Sequence, residues 1–176
     1  MLGKVGWNTL HILPITSIHQ RCPKGFLMKN YNNRTAGVQF EEEFANYLWE
    51  RKFWVHCLVQ AAGGQPADLI AQRKGCVWLV DCKVCAGDRF PLNRVEYNQH
   101  RSMQAWLHAG GTMPYFALKL SDNTVRMLSY NDVLTAEKLG LKSIGPMEMN
   151  DYTVPIENWL TAIILWESKH KCQNWL

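Results

Sequence analysis

The apolar run Val77-Trp78-Leu79-Val80 passes directly into Asp81-Cys82-Lys83, and this join constrains the chain more than any other segment. Consecutive large apolar residues after a glycine turn read as a strand inside a covered sheet, and this one ends in a carboxylate and an amine. Side chains alternate along a strand, so Asp81 and Lys83 point one way and Cys82 the other. Asp68 stands a short distance upstream. Two carboxylates and one lysine in a small space suit metal-assisted phosphodiester hydrolysis. The acids hold a hard divalent cation, and the amine orients a water or steadies charge building on the phosphate. A D-x-K pattern by itself is equally the mark of a surface ion pair at a strand end.

The rest of the chain builds an ordered α/β series around that strand. Phe40, Phe44 and Leu48 recur every fourth residue across 38–52, with acids early and Arg51-Lys52 late, which predicts a first helix. Residues 53–59 read as a strand before Gly63-Gly64-Gln65-Pro66 breaks the pattern. Residues 68–71 and 76–83 make a hairpin across Gln72-Arg73-Lys74-Gly75, and it carries both aspartates. A second helix fits 94–108, stopped by Gly110-Gly111. A second hairpin fits 114–120 and 124–129, Asn131 is placed to cap a short helix through Leu139, and a last helix fits 155–170. Most of the eight tryptophans read as core and helix-packing residues, because large aromatics dominate burial.

At 176 residues and 47% hydrophobic, the chain can bury one substantial core. Its net charge of +4 permits a polyanionic partner. The excess is local: the first forty residues hold Lys4, Arg21, Lys24, Lys29 and Arg34 and no carboxylate. Residues 1–35 are therefore expected to form a basic extension able to add phosphate contacts, or a solvated tail, with 36–176 as the folded domain. No apolar run reaches the roughly 18 residues of a membrane span, and Asn8, His11 and Pro14 interrupt the N-terminal stretch, so cytoplasmic residence is expected. Cys82-Lys83-Val84-Cys85 has the spacing of a metal or redox pair. On a strand, however, residues three apart face opposite sides, which argues for ordinary buried thiols.

The order helix, strand, acidic hairpin, helix, strand resembles the core of the PD-(D/E)xK nucleases, with Pro66-Ala67-Asp68 and Asp81-Cys82-Lys83 as the two signature elements. Within that superfamily the sequence is similar to the RecU-type Holliday junction resolvases. Gly37-Val38-Gln39-Phe40-Glu41 looks like that family's G-x-x-F-E helix start. Lys83 through Phe90-Pro91-Leu92 to Asn98-Gln99 resembles its K…FPL…HQ segment, and Gly110-Gly111 before Tyr115-Phe116 its glycine turn. The resemblance implies a restriction-endonuclease-like fold, a central mixed β-sheet flanked by helices. It implies a magnesium-dependent endodeoxyribonuclease, with manganese able to substitute, that resolves four-way junctions or other branched DNA. Paired incisions on opposing strands imply a homodimer. Two further readings stand beside it: a nuclease of the same fold acting on unbranched DNA, and a DNA-binding protein without catalysis.

By the same resemblance Asp68 and Asp81 would bind the metal, Gln99 would add a side-chain oxygen, and Lys83 would act on the attacking water or the transition state. Whether Lys83 serves as base or as fixed charge stays open. Glu41 matches a helix glutamate aimed at the site in many members, yet Glu42 and Glu43 adjoin it and only one of three consecutive helical residues faces a given way. The chain also departs from the RecU pattern. Asp81 stands for the usual glutamate, Pro66 for a threonine and Asn98 for a histidine. Only about fifteen residues separate Lys52 from Asp68, too few for that family's protruding stalk. The shortened form looks closer to archaeal or phage-type resolvases.

Overall fold

The computed structural model describes residues 33–59 and 65–169, with side chains from residue 36. The first helix, α1, spans Asn33–Glu50. It stops before the expected Lys52 because the backbone N–H of Phe53 donates to the Leu48 carbonyl and that of Lys52 to the Trp49 carbonyl. This is a Schellman closure with Lys52 at φ 70 in the place a glycine usually takes. The reversal delivers the chain into β1 (Trp54–Cys57).

Strands β2 (Leu69–Arg73) and β3 (Cys76–Val84) form the expected hairpin. Their connection narrows to Lys74-Gly75, both at positive φ (44 and 85), as a two-residue turn between right-twisted strands requires. Short 3-10 turns at Ala86–Asp88 and Leu92–Arg94 flank β4 (Phe90–Pro91). Helix α2 (Tyr97–His108) then crosses to β5 (Tyr115–Lys119), which pairs parallel to β3. β6 (Val125–Ser129) returns antiparallel to β5 and leads into α3 (Tyr130–Lys138). The chain continues through β7 (Ser143–Ile144), α4 (Met149–Tyr152), β8 (Thr153–Pro155) and α5 (Ile156–Lys169).

Six strands make one mixed sheet in the order β1-β2-β3-β5-β6-β8, and β4 pairs separately with β7. The fold is a central mixed sheet flanked by helices, as the sequence implies. α1 and α5 cover one face, burying Phe40, Phe44 and Leu48 against Trp78, Val80, Cys82 and Trp159. α2 and α3 cover the other, where Met103 and Val133 pack with Phe116, Leu118 and Leu128. The alternation along β3 is therefore real: Trp78, Val80 and Cys82 lie on the α1 side.

Two expectations change. The cap of α3 is Ser129, whose Oγ accepts from the Asp132 backbone N–H at 3.1 Å. Ser129 has the extended backbone that a capping residue needs, whereas Asn131 already lies inside the helix. The tryptophans divide: Trp78 and Trp159 are buried, but Trp54 and Trp166 remain about half exposed. The basic leader, apart from the backbone of its last residues at the start of α1, falls outside the described residues.

Candidate active site

The open end of the β2-β3 hairpin brings the two aspartates together. Asp68 immediately precedes β2, and its backbone N–H donates to the Val80 carbonyl, which holds it alongside the end of β3. Its Oδ2 accepts the Cys82 backbone N–H at 2.6 Å. The parallel pairing of β3 with β5 puts Asp81 beside Phe116 and Lys83 beside Leu118, in the interior of the sheet. Asp81 is 0% exposed. A surface ion pair at a strand end is thereby excluded.

Two neighbours hold Asp81. The Gln99 Nε2 donates to Oδ1 at 2.6 Å. The Lys83 Nζ lies 2.7 Å from Oδ2, yet that oxygen receives no well-directed hydrogen bond, so the contact is close in distance and electrostatic in character. Burial comes first among the forces on its protonation, followed by the Asp68 charge; together they outweigh the pull of Lys83 and push the Asp81 carboxyl up to about 7. Glu41, reaching in from α1, is pushed up to about 7 by desolvation and then by Asp68, again against Lys83. Of the three consecutive glutamates, Glu41 alone is partly buried: Glu42 and Glu43 are exposed. Glu43 pairs instead with Lys119 at 2.7 Å.

Gln99 acts through both ends of its amide. Its Oε1 accepts the Glu96 backbone N–H at 3.0 Å, closing the start of α2, while its nitrogen holds Asp81. In this arrangement its nitrogen orients the carboxylate, while its oxygen is engaged by the Glu96 N–H. Its neighbour Asn98 donates from Nδ2 to the Gln65 carbonyl at 3.2 Å, and Gln65 Nε2 donates to Asp68 Oδ1 at 2.6 Å. Gln65 is the site residue that sequence reasoning missed. Its only signal was a polar side chain three positions before Asp68, within a glycine-proline break that has no periodicity.

These residues fit a hard divalent cation. Carboxylate oxygens are its preferred donors, and Asp81 Oδ2 is a buried oxygen that lacks an aligned donor. Among the described residues no three His, Cys, Asp or Glu side chains converge into a complete chelate. Asp68 and Asp81 could supply part of the shell of such an ion, which commonly keeps several water ligands. The Cys82 and Cys85 thiols stand apart from the cluster, and Cys82 contributes its backbone N–H alone. Cys82 and Cys85 pack into the two opposite cores, as their spacing on a strand requires, and burial raises both thiols.

A family model described as the archaeal Holliday junction resolvase (Hjc) matches residues 32–161, well over half of the chain. The chain belongs to the archaeal Hjc family. That family lies within the PD-(D/E)xK superfamily, so the wider resemblance holds and the RecU type does not. The crossover junction endodeoxyribonuclease Hjc of Methanocaldococcus jannaschii is 31% identical over 85 residues, 48% of this chain and 59% of that protein. The chain thus matches less than two thirds of that relative's length. The structure of Archaeoglobus fulgidus Hjc, a Holliday junction resolvase, aligns with a TM-score of 0.46 and 19% identity over 55% of this chain and 78% of that one.

The raised carboxyls of this Hjc-family chain make a prediction for the metal-free protein. Both groups hold protons more tightly folded than unfolded, so their contribution is full below about pH 4 and is lost as pH rises toward about 7. A divalent cation binds the ionised forms, so it restores stability mainly at the upper end. Thermal melts are expected to show magnesium raising the Tm at pH 8 and leaving it nearly unchanged at pH 5. An equal rise at both values would contradict the assignment.

Proposed function

We propose that this chain is a divalent-metal-dependent endodeoxyribonuclease that cuts branched DNA, four-way junctions foremost, by phosphodiester hydrolysis. The observation that carries the reading is the buried Asp81, held by Gln99 and Lys83 beside Asp68 at the open end of one hairpin. Family membership supports the junction as substrate. A carboxylate kept from water against like charge is costly in the resting fold, and a cation repays that cost.

Asp68 and Asp81 would hold the ion, magnesium in the first instance with manganese able to replace it. When bound, the cation supplies a Lewis acid for the phosphate and lowers the pKa of the attacking water. The chain's own residues do the rest. The Cys82 N–H and Gln65 fix the direction of the Asp68 carboxylate, and Gln99 fixes that of Asp81. Lys83, on the same strand face as Asp81, places a donor where negative charge accumulates on the phosphate. Glu41 borders the cluster and takes up or releases a proton near neutral pH, which suits proton transfer during cleavage. Two opposed incisions require two such sites, and a homodimer provides them.

Lys83→Ala tests the reading directly. It is expected to lower single-turnover cleavage of a four-way junction by about 10²-fold or more, while gel-shift binding of the same junction stays within a fewfold. Unchanged cleavage would remove Lys83 from the chemistry.

A further inference from the structure

Both aspartates are oriented from a single turn of α2, and the link to Asp68 runs through a residue that no catalytic pattern names. Gln99 holds Asp81 directly. One position earlier, Asn98 Nδ2 binds the Gln65 backbone carbonyl at 3.2 Å, and the Gln65 side chain reaches Asp68 Oδ1 at 2.6 Å. Asp68 Oδ2 is already fixed by the Cys82 N–H. A carboxylate anchored at one oxygen can still turn about its last torsion; a second directed donor on the other oxygen stops that turn. The 2.6 Å separation is that of a strong charge-assisted bond.

The rest of Gln65 argues for a specific role. Its Oε1 is buried and has no hydrogen-bond partner among the described residues. Leaving such an acceptor unmet is unfavourable, so an apolar side chain of similar volume would serve mere packing better. The amide is explained by its nitrogen, whose partner among the described residues is the carboxylate of the candidate metal site.

We propose that Gln65 is a positioning residue that sets the orientation of Asp68 toward the cation, with Asn98 as its anchor, so that the first turn of α2 aligns both carboxylates. This rests on the nuclease reading above. Groups that orient a ligand carboxylate change metal affinity by about 10–100-fold when removed, and the anchor acts only through the residue it anchors.

The test combines Gln65→Leu, Asn98→Ala and the double variant in the full chain. Manganese binding is measured by calorimetry without DNA, Tm without metal, and cleavage of a four-way junction across manganese concentrations. For Gln65→Leu, manganese affinity is expected to fall about tenfold or more, with metal-free Tm equal to or above that of the parent and junction affinity unchanged. Cleavage by this variant recovers at high manganese. Asn98→Ala gives a smaller loss in the same direction, and the double variant is no worse than Gln65→Leu, as two members of one chain of contacts require. Parent-like manganese affinity in Gln65→Leu overturns the proposal, as does a loss of metal-free Tm that parallels the loss of affinity. Additive effects in the double variant overturn the role of Asn98 as anchor. Failure of the parent chain itself to bind manganese or cut would instead defeat the nuclease reading, which separates the two.

Discussion

Asp81→Asn is expected to reduce cleavage of a four-way junction by on the order of 10³-fold or more, without loosening the fold. The two halves of that expectation have separate physical causes. Asparagine preserves the shape of the side chain, and its oxygen still accepts from Gln99 Nε2, so the contact that ties β3 to α2 survives; its amide nitrogen then faces the Lys83 ammonium, donor against donor, which the long lysine stem relieves by swinging away. What disappears is the charge a divalent cation needs, at a position with 0% exposure where water offers no substitute. In the metal-free state that same charge is a burden, because burial and the neighbouring Asp68 push the carboxyl up to about 7. The variant's metal-free Tm at pH 8 should therefore match or exceed the parent's, and magnesium should raise it far less. A variant that cuts at a tenth of the parental rate or better would show that Asp81 does not hold the catalytic ion. A steep loss of metal-free stability would show that its charge is structural.

Trp159→Ala is expected to cost about 3–5 kcal/mol of stability, the largest effect of any single truncation away from the site. Trp159 projects from α5 into a cluster of four rings. Its centroid lies 6.1 Å from Phe53 in a stacked arrangement, 6.0 Å from Trp78 edge-on and 5.5 Å from Tyr115 edge-on. Each such pair adds about 0.5–1.5 kcal/mol beyond area burial, and truncation leaves a void among residues carried by the sheet and by the turn after α1. Single domains commonly hold only about 5–15 kcal/mol in total, so the urea midpoint should fall by more than about 1 M. The cluster sits on the opposite face of β3 from Asp81, on the side of Cys82. Cleavage per folded molecule at low temperature should consequently be preserved. A loss below about 1 kcal/mol would mean that α5 is not held by this contact.

Much of this architecture could be read from the chain because its signals are periodic or local. Phe40, Phe44 and Leu48 mark the buried stripe of α1. The Lys74-Gly75 turn fixes the register of the hairpin, and a one-residue slip there would turn Asp81 into the core and Cys82 into the site. Strand alternation alone separated Cys82 from Cys85, and the two thiols lie in different cores. Where the signal is too short, reading fails. Strands of two or three residues such as β4, β7 and β8 carry no period, and they are defined by the partner they meet in space. The cap of α3 lies two positions before the expected Asn131, because both Ser129 and Asn131 have capping side chains and only the backbone at Ser129 is extended. Gln65 and Asn98 were beyond reach for a related reason. Their roles depend on a loop and a helix that are far apart in sequence meeting at 3.2 Å. The choice between Glu41 and its neighbours likewise needed the rotation of α1 about its axis, which packing against the sheet determines.

The most direct test of the central claim is cleavage of a four-way DNA junction beside a linear duplex of matched sequence, each with magnesium and with a chelator, at one protein concentration. The account predicts that the junction is cut when magnesium is present, that the chelator abolishes the cutting, and that the linear duplex stays intact. Cutting that persists in the chelator, or equal cutting of the linear duplex, would contradict it.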